Sequence, residues 1–220
     1  MRVADSLFSQ LIGLCAGVLL LTGVLLVWRR TKSGSIRLLA LQGIALAILV
    51  AMIGIHKANI ETLAVALLVL MLKGVFLPML LTRNALRSGI DRDVPFINPT
   101  ASLLLVALLA ILAYVVSRPL ASLGSGPAIQ VIPVGMALVL IGFLLLATGR
   151  HAIAQLVGFL VLDNGIATVA FLTAGGVPLV VELGVLIDVL LVVLILRVLT
   201  GRIQTEYGAT DLDDLTELRG

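Results

Sequence analysis

Residues 157–171 read VGFLVLDNGIATVAF, an apolar run with a carboxylate, Asp163, and an amide, Asn164, near its middle. The rest of the chain decides how such a run is read. Hydrophobic residues make up 60% of the 220 and charged residues 12%, against about 25% charged in ordinary soluble domains. So little polar surface does not cover a water-soluble globule. It suits a chain whose solvent is lipid, and the quoted stretch then reads as a membrane-spanning helix that carries an acid.

A spanning helix needs about 20 apolar residues. Seven runs qualify, at about 7–28, 38–55, 62–82, 98–116, 130–147, 153–174 and 179–199. The second is short, and its flanks extend it. Pro95 or Pro99 marks the start of the fourth, and Pro119, Gly124, Gly126 and Pro127 mark a loop before the fifth. A polar tail follows from about 203. The expected fold class is all-α, a polytopic membrane protein with seven transmembrane helices. The first run, with Asp5 before it and no prompt small-residue cleavage site, is expected to be a retained helix and not a signal peptide.

The loops orient these runs. Arg29, Arg30, Lys32, Arg37, Arg83, Arg87, Arg92, Arg150, Arg197, Arg202 and Arg219 fall on one side, and Arg2, Lys57 and Arg118 on the other. Basic residues favour the cytoplasmic side, which puts the N-terminus outside and the C-terminus in the cytoplasm. Seven spans agree, since an odd number separates the ends. The net charge of +3 is spread over short loops and is no nucleic-acid footprint. One cysteine, Cys15, excludes an internal disulfide and any cysteine-built metal or cluster site. No phosphate loop, nucleophile triad or metal-ligand cluster is visible, so catalytic residues, metal and cofactor are all expected to be none.

The chain also resembles itself. Residues 19–30, LLLTGVLLVWRR, are similar to 138–150, LVLIGFLLLATGR. Residues 38–54, LLALQGIALAILVAMIG, are similar to 158–176, GFLVLDNGIATVAFLTAGG, with Gln42-Gly43 opposite Asn164-Gly165 and Glu61 in the place of Glu182. Either a parallel duplication around a linking fourth helix or a chance match between Leu/Val/Gly-rich runs explains this. The expected units are 1–97, a three-helix unit; 98–129, the linking helix and an outer loop; 130–202, a second three-helix unit; and 203–220, the tail.

Four ionisable residues fall within the runs: Lys73 near the middle of the third, Asp163 and Asp188 near the middle of the sixth and seventh, and Glu182 in the first turn of the seventh. Glu182 and Asp188 are separated by about 9 Å in depth. A charge at the bilayer centre costs about 2.5–3.5 kcal/mol on insertion scales, so these groups are expected to face the bundle interior or a partner. Two readings are open. Lys73 pairs with Asp163 or Asp188 and fixes helix packing, or Asp163, Asp188, Lys73 and Glu182 form a proton path, because burial penalises the charged form of acid and amine alike. Asn164, Glu61, His151 and Gln42 are accessory polar groups. Pro78, five residues after Lys73, is expected to kink the third helix.

From these residues a family resemblance follows. The last third resembles the K subunit of respiratory complex I and the C subunit of multisubunit cation/proton antiporters, three-helix proteins with acids in their second and third helices. The ending DLDDLTELRG, residues 211–220, is similar to the acidic stretch and Arg-Gly finish of K subunits. The seven-run plan, with a K-like C-terminal half and an intramembrane lysine in the N-terminal half, resembles hydrogenase-4 component E, of the group 4 [NiFe]-hydrogenase and formate hydrogenlyase complexes. Asp188 matches the acid of the third K helix. In the second, Leu160 stands where K subunits have Glu, and Asp163 lies one turn on, on the same face.

The resemblance implies a non-catalytic subunit in a multi-pass bacterial or archaeal cytoplasmic membrane, contributing to proton or ion translocation coupled to electron transfer. Its implied partners are antiporter-like membrane subunits, hydrogenase or other complex I-like subunits, and the lipid bilayer, with no nucleic acid. A subunit of a cation/proton antiporter assembly, and a scaffold that moves no ions, remain as alternatives.

Overall fold

The computed structural model describes residues 2–29, 31–87, 99–121, 129–149, 152–174 and 184. The helices are α1 (Arg2–Trp28), α2 (Lys32–His56), α3 (Ile60–Val69), a π-helical segment (Leu70–Phe76), α4 (Leu77–Arg87), α5 (Pro99–Ala121), a 3₁₀ turn (Ile129–Val131), α6 (Ile132–Thr148) and α7 (Ala152–Ala174). The chain divides into two units, Met1–Glu182 and Leu183–Gly220, and in the second the described residue is Gly184.

Among the described residues, six stretches are long and apolar enough to cross a membrane: Ser6–Trp28, Ser33–His56, Ile60–Arg83, Thr100–Pro119, Ile129–Thr148 and Ile153–Thr173. They coincide with the first six expected runs. The seventh, 179–199, lies outside the described residues. The second run is lengthened at its start, because Lys32 and Arg37 join α2; Arg37 is exposed there. Pro119, expected in a loop, lies inside the last turn of α5. So near a C-terminus the ring removes one helical hydrogen bond and little else.

Between lipid-soluble helices the hydrophobic effect gives little attraction, so close packing must hold them. α6 and α7 show how. A Cβ on Gly142 would stand 2.4 Å from Leu162 N, and one on Gly165 would stand 2.5 Å from Val139 N. Both glycines, and Gly135 and Gly158 seven residues before them, let the two backbones touch. α2 is the hub: it packs against α1, α3, the π segment, α4 and α7, while α6 packs against α1, α5 and α7. Helices from both halves of the sequence therefore interleave in one bundle.

The link from α2 to α3 is tight. Ala58 takes a positive φ of 50°, its N–H donates to Ile55 O, and the Asn59 N–H donates to Gly54 O, the Schellman pattern of a helix end. Asn59 then caps α3, its Oδ1 accepting from the N–H groups of Glu61 (2.8 Å) and Thr62 (3.2 Å).

Candidate functional site

The π segment builds the site. Pro78 offers no N–H to the carbonyl of Gly74, and its ring crowds that carbonyl. The chain widens the turns just before it, and the Leu77 N–H reaches back to Leu72 O. A π turn inside an α-helix is uncommon and frequently marks a functional site. Here Leu72, Lys73 and Gly74, at its centre, are all buried. The expected kink is thus a widened turn, placed around Lys73.

Lys73 Nζ forms a salt bridge with Asp163 Oδ2 of α7. The lysine is 5% exposed and the aspartate 20%, so the carboxylate is the more open end of the pair. Both lie near the middle of their spans. α2 sets the approach: Gly43 lies so close to the third span that a Cβ there would stand 2.6 Å from the Lys73 carbonyl carbon and oxygen.

A second polar contact crosses the bundle at similar depth. Asn164 Nδ2 donates to Gln42 Oε1 at 3.0 Å, and Gln42 Nε2 donates to Leu19 O of α1 at 3.3 Å. Gln42 is 0% exposed and Asn164 2%. The Thr168 hydroxyl donates to Asn164 O at 2.7 Å, and Thr22 turns its hydroxyl to Val18 O and Leu19 O of its own helix. Asn164 Oδ1 is fully buried and accepts no hydrogen bond among the described residues. Left dry, such an atom costs about 1–3 kcal/mol.

Of the residues expected to act together, the structure brings together Lys73 with Asp163 and Gln42 with Asn164. Glu61 is exposed in the first turn of α3, about 18 Å along the helix from Lys73 at an α-helical rise, and joins neither pair. Glu182, Asp188 and His151 lie outside the described residues. Sequence reasoning missed the π segment, Thr168, and Gly43 as the residue that sets the distance to Lys73. Pro78 was the one available signal for the first.

No family model matches the chain, and no solved structure does. Among curated proteins, the uncharacterized protein Rv0085 of Mycobacterium tuberculosis is 42% identical over 219 residues, covering 99% of this chain and 100% of its own. Hydrogenase-4 component E of Escherichia coli K12 is 25% identical over 218 residues, covering 96% of this chain and 99% of its own, and the Shigella flexneri protein of that name gives the same figures. The chain therefore belongs to the family that includes Rv0085, with hydrogenase-4 component E as a distant homologue over nearly its whole length.

Proposed function

We propose that this chain is a non-catalytic membrane subunit of a complex I-like, membrane-bound [NiFe]-hydrogenase assembly, in which it contributes to proton translocation coupled to electron transfer. The observation that carries the reading is the Lys73–Asp163 ion pair, formed at mid-span with its lysine buried, in a chain homologous to a hydrogenase-4 component. Ionisable residues within membrane spans are rare, pair with one another, and mark ion pathways and proton relays. In this reading Asp188 and Glu182 continue the path, Asp188 matching the acid of the complex I K subunit, and the N-terminus is outside. Antiporter-like and hydrogenase subunits are the partners.

The test separates moving protons from holding helices. Asp163→Asn and Asp188→Asn keep shape and remove a titrating carboxylate; Lys73→Met removes the ammonium. The expected result is assembled complexes with lowered coupled proton movement, Asp188→Asn the most damaging. Assembled mutants that pump at the wild-type rate would refute the path.

The direct contact of Lys73 with Asp163 also favours a second reading, a scaffold whose buried pair fixes the third span against α7. That reading expects loss of the subunit from the membrane in each single variant and its return when both partners are replaced.

A further inference from the structure

We infer that Asn164 Oδ1 is the acceptor of a buried water molecule, which makes the Gln42–Asn164 amide pair a hydration site inside the bundle. The orientation of both amides follows from one backbone atom. A carbonyl only accepts, so Leu19 O must face the Gln42 NH₂ group. Gln42 Oε1 is then turned to α7, where it requires the NH₂ group of Asn164. The Asn164 oxygen is left pointing away from Gln42, and flipping either amide would set like groups against each other.

Among the described residues, the hydroxyl protons of Thr168 and Thr22 are already committed: Thr168 donates to Asn164 O, and Thr22 to carbonyls of α1. With Asn164 2% exposed and no free donor among the described residues, a small molecule held within the protein supplies the missing donor. A metal cation needs several oxygen ligands, whereas a buried water typically makes two to four hydrogen bonds. Thr168 Oγ1, one turn along the same face of α7, keeps lone pairs for the second proton of that water. On the α1 side of Gln42, Leu138 and Ile141 of α6, both 0% exposed, lie with the Gln42 NH₂ group around Gly23. The water stands on the geometry of the amides alone. Its use as a stopping point for protons rests on the relay reading above.

Asp163-Asn164 and Ala58-Asn59 are the sole Asp-Asn and Ala-Asn sequences in the chain, so asparagine labelled with ¹⁵N and ¹³C selects Asn164 when aspartate carbonyls carry ¹³C and, in a second sample, Asn59 when alanine carbonyls do, both without a mutation. The full chain in lipid bilayers is examined by water-edited solid-state NMR, with Asn59 at the helix end as the wet reference. The expected result is transfer from water to the Asn164 carboxamide on the time scale seen for Asn59. Transfer to Asn59 with none to Asn164 would overturn the inference. A dry Asn164 alongside lowered proton movement in Asp163→Asn leaves the relay standing; a wet Asn164 with unchanged pumping leaves the water and removes the relay.

Discussion

Gln42 and Asn164 are held to each other by one hydrogen bond, and neither reaches solvent. Gln42→Leu would strand the Asn164 NH₂ group and release Leu19 O, at a cost of about 1–3 kcal/mol for a buried group left unpaired. The measurement is thermal or denaturant unfolding in detergent. Replacing both residues by Leu is expected to recover part of the loss, because no polar atom of the pair then remains buried. Lys73→Met is expected to differ from Asp163→Asn in severity: the first leaves a carboxylate that is partly open, the second an ammonium that is almost closed off. Charge alone made Lys73 and Asp163 legible in the sequence. Which acid meets the lysine was not, since Asp163 and Asp188 share its expected depth and the choice is made by helix neighbours. That Asn164, and not Asp163, points deepest inward was equally hidden, because adjacent residues on a helix face directions about 100° apart.

Helices are legible here by length and apolarity, and their junctions only in part. The α2–α3 link shows why. A Gly after His56 would have announced the turn, but the left-handed position is held by Ala58. Ala58→Gly is expected to raise stability by about 0.5–1 kcal/mol, the relief of a Cβ in that region set against the extra entropy of glycine, read as a higher midpoint of thermal unfolding. Gly43 gives the opposite case. Gly43→Val places two methyl-bearing branches where the Lys73 backbone stands, and the third span must move off α2. The expected outcome is loss of the Lys73–Asp163 contact, seen as loss of coupled proton movement in the proposed complex with the chain still inserted. A glycine's need for close approach depends on the partner backbone, which a single sequence does not show.

At the scale of the molecule, the six described spans follow from composition, whereas the seventh run and the tail rest on the sequence alone. The proposed orientation gives a direct measurement. A cysteine introduced in residues 29–37 of a Cys15→Ser chain is expected to resist an impermeant thiol reagent on intact cells, and one in the Lys57–Asn59 link to react; the reverse pattern would turn the topology over. The interleaving of α1 with α6 and of α2 with α7 ties the two sequence halves together, so separately expressed halves should co-purify. The π segment has one further consequence, for insertions and deletions. A turn of that kind holds about one residue more than an α turn of the same length. Removing a residue elsewhere in Ile60–Arg83 would swing one half of the span by about 100° and take its side chains off their neighbours. Removing one between 70 and 76 converts the wide turn to a regular one and leaves α3 and α4 facing as they do now. A relative one residue shorter in this span should therefore show its alignment gap there.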